Sequence, residues 1–310
     1  MPMLPAINVR LNSVLIASAA LVNLHQFVLL PAVLLPMSRL WLITLLPCAL
    51  LSNSLWYLMH EAFHRNLHPD LRVNEAAGRT LSVLFGAPYH VVRFGHLMHH
   101  RFNGAPVDRP DLYDARTTTR AASALRYYWG LFAGLYLSEL LTCLLFLLPK
   151  ALLGRLIGRL AASGDAASRE ITAFARKQLL NDTVLRSIRI DGLAACAVIA
   201  ATVVLYGPAW PAILFILLAR AFFISFANNL PHYGTSPDDV RYGLNIRLPR
   251  PLASLLLNFN YHRVHHHDPL LPWTALPPAF RSSGDSFDAP LFDAAIAQFR
   301  GPIPRDRRSR

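Results

Sequence analysis

Thirteen histidines lie along this 310-residue chain, and their spacing is what points to chemistry. His60 and His64 stand four residues apart. His96, His99 and His100 follow the pattern HxxHH, and so do His262, His265 and His266. On a helix, offsets of three and four put side chains on one narrow face, so each set can aim its imidazoles at a common point. Neutral imidazole ligates iron, zinc, copper and nickel. Random placement of 13 histidines in 310 positions gives an HxxHH triplet roughly 0.02 times. Two such triplets mark a metal site rather than a polar helix surface.

Two other metal motifs overlap the first pair. His60-Glu61-Ala62-Phe63-His64 reads as HExxH, a zinc-protease helix with Glu61 as general base, but a membrane metalloprotease leaves both triplets unexplained. Glu61-x-x-His64 is also half of the soluble di-iron carboxylate pattern. The second half is missing, because none of Glu75, Glu139 and Glu170 has a histidine three residues on. A histidine-rich metal-binding transporter or sensor would carry ionisable groups along its spans. The apolar stretches hold only His25, Glu139 and Arg220, with Arg220 expected to snorkel toward the cytoplasmic edge. His25, in mid-span, reads as a packed or hydrogen-bonded residue, and His90 as a packed or surface one.

The elements that must position these histidines follow from composition. Fifty-four per cent of the chain is hydrophobic and 15% charged, against roughly 25% charge in a soluble domain. That excludes a water-soluble globule, a disordered chain and a collagen-like one. Apolar runs of spanning length occur at about 14–35, too long for a signal-peptide core and so read as a retained span, and at 40–59. A longer block divides at Gly207-Pro208 into 192–206 and 209–227. Of the 30 Lys and Arg residues, 27 fall in three segments, 65–127, 150–191 and 232–310. The positive-inside rule wants all three on the cytoplasmic side. The remaining apolar stretch, 128–148, then has to lie as a re-entrant or interfacial helix. The expectation is one all-α integral membrane domain over 1–310. It has about four transmembrane helices in two hairpins, and a cytoplasmic helical cap that carries the histidines.

The net charge of +12 serves this topology, with no nucleic-acid module beside it. Cys48, Cys143 and Cys196 sit in apolar runs without a CxxC, which excludes a disulfide framework or iron–sulfur cluster. The basic end Arg305–Arg310 is expected to be solvated or to rest on anionic lipid.

The order HxxxH, HxxHH, two later spans, then HxxHH resembles the membrane fatty acid desaturase superfamily, which includes hydroxylases and ketolases. The strings that carry the likeness are HEAFHRNLH at 60–68, GHLMHHRFNGAPVDRPDLY at 95–113 and NFNYHRVHHHDPLLPW at 258–273. The resemblance covers roughly 40–280. It implies a non-haem centre of two iron ions held by His60, His64, His96, His99, His100, His262, His265 and His266. A ninth ligand, His232, comes from the short motif Asn228-Asn229-Leu230-Pro231-His232, with Asn228 near one iron through a water; Pro231 breaks the regular helix there. His68, Glu61, Asp108, Asp111 and Asp114 are candidates to surround the ligands, the acids by orienting free imidazole N–H groups. His267, off the ligand face, points away.

The resemblance further implies O2 as co-substrate and electrons from a separate ferredoxin, flavodoxin or cytochrome with its reductase. The reaction expected is desaturation of an unactivated C–C bond in a fatty acyl chain or a lipid-like or small natural-product substrate. Hydroxylation or carotenoid ketolation at the same site is the alternative. The location expected is a bacterial inner membrane, with the site facing the cytoplasm.

Overall fold

Backbone groups in lipid have no water to bond, so the apolar stretches must close their hydrogen bonds internally as helices. The computed structural model describes residues 5–160 and 164–305. Five of its helices are long and apolar enough to cross a membrane. α1 (Val9–Met37) and α2 (Arg39–Phe63) form the first hairpin. α1 passes through a wide-turned π segment at His25–Leu34, which accommodates Pro31 inside the helix. His25 Nε2 lies 2.9 Å from the hydroxyl of Thr44 on α2.

α3 (Leu71–Phe85) starts where the Asp70 carboxylate accepts from the N–H groups of Arg72 and Val73, and it stops at Gly86, whose φ of +103° suits glycine. α4 (Tyr89–Phe102) follows Pro88. α5 (Arg120–Leu145) is one apolar helix. α6 (Lys150–Leu160) and α7 (Ala166–Leu179) are short amphipathic helices. α8 (Asp182–Tyr206) and α9 (Pro211–Asn229) form the second hairpin, joined by a turn at Gly207, where φ is +50°. The cap closes with α10 (Arg250–Leu255), α11 (His262–His267), α12 (Leu276–Ser282) and α13 (Leu291–Gln298).

Two parallel two-residue strand pairs stitch the cap. Leu112–Tyr113 pairs with Ile303–Pro304, and Ile246–Arg247 pairs with Ala289–Pro290. The first pairing holds the C-terminal segment down as far as Arg305, whose guanidinium donates to the Gly104 carbonyl. The rest of the basic end, 306–310, lies outside the described residues.

Two boundaries and one side chain differ from the sequence expectation. α8 begins at Asp182 rather than near 192, because Asn181 caps it by accepting from the Thr183 and Val184 N–H groups. Its first turns therefore extend beyond the apolar block into the cap. α5 begins at Arg120, well before the apolar run, and ends at Leu145. Arg220 does not snorkel. It is 1% exposed on α9 and donates to Asn23 Oδ1 at 2.6 Å, to the Leu84 and Phe85 carbonyls at 2.9 and 3.1 Å, and to Ser52 Oγ at 3.3 Å. Acceptors from three neighbouring helices hold the guanidinium in the interior, so it has no need to reach an edge.

α5 makes its end contacts on the cap side of the bundle. Near its start Tyr127 Oη donates to the Gln298 carbonyl at 2.8 Å, on the histidine-bearing side. Along its middle Tyr136 Oη donates to the Phe85 carbonyl at 2.8 Å and Cys143 to the Gly86 carbonyl. Just past its end the Phe146 carbonyl accepts from Arg189 Nε at 3.1 Å, within the cap-side half of α8. The opposite end of the bundle is marked by Tyr206 Oη donating to the Gln26 carbonyl. α5 thus crosses the cap-side half of α9 and is anchored at both ends on that side.

Candidate metal centre

α2 ends at Phe63, with His64 as its cap residue, so His60 and His64 project from the last turn of a span. α4 runs beneath that end, closely packed because Gly78 of α3 lets Tyr89 and Ala62 approach. A Cβ at Gly78 would meet Tyr89 Cε2 at 2.5 Å. α11 is brought over the same spot by Arg263, whose guanidinium pairs with Asp285 at 2.7 Å and Asp288 at 2.9 Å, and whose backbone N–H donates to Asn245 Oδ1. Gly243 backs directly onto His262, where a Cβ would lie 2.9 Å from the ring.

Nine imidazoles converge there in two groups, one of His60, His64, His96, His100 and His265, the other of His99, His232, His262 and His266. Within each group the candidate ligand atoms all lie within 4.8 Å of one another. In the first, His60 Nε2 is 3.0 Å from His265 Nε2, which is 3.0 Å from His100 Nε2. That atom is 3.0 Å from His96 Nε2, itself 2.7 Å from His64 Nε2. In the second, His232 Nε2 lies 3.1 Å from His99 Nε2 and 2.7 Å from His262 Nε2. Both ring nitrogens of buried His266 are without a hydrogen-bond partner.

The electrostatics match this geometry. Burial, reinforced by neighbouring imidazoles, pushes protonation of His96, His100, His232, His262, His265 and His266 well below the usual histidine range. His64 is lowered to about 3 by burial and then by Arg93. Neutral rings with Nε2 lone pairs turned on one centre are the donor set that a divalent transition metal takes. One imidazole has its tautomer fixed from outside: His99 Nδ1 lies 2.7 Å from Asp108 Oδ2, which leaves Nε2 facing the second group.

Residues 39–291, most of the chain, match the family described as fatty acid desaturase. The chain belongs to that family. Among curated proteins none matches it. As a fatty acid desaturase family member it is an oxidoreductase of the desaturase and hydroxylase type, and its apolar helices make it a membrane protein.

Of the residues expected around the ligands, this desaturase family chain brings Asp108 to an imidazole, but the others do different work. Glu61 stands 3.7 Å from His60 Nδ1, too far for a hydrogen bond, and its other oxygen accepts the Trp273 N–H at 3.0 Å. It ties the segment after the third histidine box to α2. Asp111 reaches no imidazole, because its carboxylate is taken up by buried Arg109 at 2.8 Å and by the Gly234 N–H at 2.9 Å. Asp114 pairs with Arg116 at the surface. His68 accepts the Asp70 N–H at 3.0 Å and stays out of both groups. Asn228 donates to the Ile224 carbonyl at 2.8 Å and lines the cavity beside the histidines. His90 lies 3.5 Å from Glu75, and His267 is exposed.

Sequence reasoning missed Arg109, which is 1% exposed and donates to the His232 and Thr235 carbonyls at 3.3 and 2.9 Å, bracing the turn that carries the ninth histidine. Its one available signal was the Arg-x-Asp spacing of 109–111 beside the second box. Against both histidine groups opens a cavity of about 510 Å³ between α4, α5 and α9. His96, His99, His232 and Asn228 stand on its wall, and Leu131, Leu135, Val91 and Val92 form its apolar part.

Proposed function

We propose that the five-histidine and four-histidine groups each hold one iron ion, and that the chain uses O2 to desaturate an unactivated C–C bond of a lipid-like substrate lodged in the adjoining cavity. The observation that carries this reading is the split of nine imidazoles, six buried and three half-buried, into two ligand sets beside one largely apolar cavity. Iron bound there supplies the oxidising power to take hydrogen from an unactivated carbon. O2 takes two electrons and two protons from the substrate's adjacent C–H bonds, two electrons from the carrier and two further protons from solvent, and leaves as two waters.

The chain's own residues provide position and dryness. His96, His99 and His232 meet the cavity, so a bound chain lies against both groups. α5 roofs it, and Asp108 keeps the Nδ1 proton on His99. Asn228 shares the cavity wall with His232, and in this reading its amide holds a water near that group's metal. The reducing partner is a separate ferredoxin, flavodoxin or cytochrome, for which the basic cap offers a docking face of opposite charge.

The membrane disposition that fits is four crossings with α5 at the interface, the site facing the cytoplasm of a bacterial inner membrane. Support comes from the 27 cationic residues of the three cap segments and from the anchoring of both ends of α5 on the cap side.

The test is expression with a reductase system, followed by metal analysis and mass spectrometry of lipids and small metabolites. Iron approaching two per chain and a product lacking two hydrogens are expected. A product that gains one oxygen reassigns the reaction to hydroxylation. One tightly bound zinc with no iron overturns the reading.

A further inference from the structure

Three polar groups on the cavity wall lack partners. Trp56 on α2 and Ser225 on α9 are 3% and 2% exposed, and neither the indole N–H of the one nor the hydroxyl of the other makes a hydrogen bond. Oε2 of Glu139 on α5 is also shut off from solvent and unpaired. All three residues line the same cavity. Other hydroxyls of α5 behave differently: Ser138 and Thr142, on the same wall, turn back to the Leu135 and Glu139 carbonyls at 2.6 and 2.5 Å. Buried polar groups are nearly always satisfied, and those that are not call for an explanation.

A plain hydrocarbon chain would make the matter worse, because it would displace any water from the wall and offer nothing in return. The indole N–H needs an acceptor, the carboxyl oxygen takes a donor, and the Ser225 hydroxyl serves as either. A single group that both donates and accepts fits all three. Resting on the oxidoreductase reading above, we propose that the substrate carries a hydroxyl or a secondary amide on its apolar body, held between Trp56, Glu139 and Ser225. The unreactive polar group then registers the substrate against the histidine groups and selects it from bulk membrane acyl chains. A site built to hydrogen-bond such a group discriminates strongly against the analogue lacking it.

The experiment embeds the full, iron-loaded chain in lipid nanodiscs and measures equilibrium binding of radiolabelled hexadecane, cetyl alcohol and N-methylpalmitamide, with empty discs subtracted. The alcohol or the amide should bind about tenfold or more tighter than the alkane. Glu139→Leu should collapse that gap with iron content unchanged. Trp56→Phe should shrink it at least about threefold, and Glu139→Gln, which keeps an acceptor, should preserve most of it. If Glu139→Leu does not fold, the Trp56→Phe and Glu139→Gln arms decide. Equal binding of all three probes, no binding above empty discs, or a gap that survives both apolar replacements overturns the proposal. These readouts need no turnover, so they fail independently of the reaction: a chain with iron and oxidised product but no polar preference refutes only this inference.

Discussion

His99 and His100 are neighbours in the chain, yet they serve different groups. His99 Nε2 lies 3.1 Å from His232, and His100 Nε2 lies 3.0 Å from His265. The same division runs through both triplets. His96 and His100, one turn apart, join the five-histidine group while His99 joins the other. His262 and His266 join the four-histidine group while His265 crosses to the first. Each triplet helix therefore lies between the two centres and contributes to both, which couples their spacing to the packing of α4 on α11.

Loss of the ninth imidazole should be selective. His232 sits in the turn after α9, at the junction of His99 and His262. His232→Ala is expected to reach normal membrane levels, since the spans insert by hydrophobicity, and to lose about half its iron and all detectable turnover. His267→Ala, exposed on α11, should keep both. Metal analysis and product assay of the two variants side by side check this. Equal behaviour would remove His232 from the ligand set.

Asp108→Ala should lower activity or metal affinity about 10- to 100-fold without unfolding the protein, because it frees the His99 ring to turn and changes its tautomer. Asp111→Ala should act by another route, since Asp111 touches no imidazole. The discriminating measurement is iron titration of each variant: Asp108→Ala weakens one iron, whereas Asp111→Ala lowers the melting temperature first.

The pair Arg109–Asp111 is buried, at 1% and 2% side-chain exposure. Removing either partner leaves a lone charge in the cap, which costs about 3–5 kcal/mol, while replacing both with apolar residues costs much less. Thermal unfolding in mild detergent should show Arg109→Leu and Asp111→Leu each more destabilised than the double variant. Additive losses would refute the coupling.

Sidedness is open to reporter fusions. A reporter after residue 37 should lie outside, and those after 120, 170 and 300 inside, as the cationic segments require. The position after 170 is the informative one, since it follows α5. An external signal there would make α5 a true crossing.

Much of this protein is legible in its sequence. Helix periodicity turns spacing into a shared face, so the two HxxHH triplets and HxxxH announce a metal site without any fold. Apolar length and the placement of Lys and Arg announce a membrane bundle, because lipid enforces helices and translocation sorts charge. What the sequence leaves out is everything that depends on contacts between distant segments. Only packing decides that His60 meets His265, 205 residues away, or how each triplet is divided between two centres. Local spacing marks Glu61, Asp111 and Arg220 only as polar groups near a site or a span. Their partners include the Trp273 N–H, the Gly234 N–H and Asn23, all far away in the chain. A carboxylate or guanidinium is committed by whichever complementary group the fold brings within about 3 Å, and that proximity is a property of the tertiary structure alone.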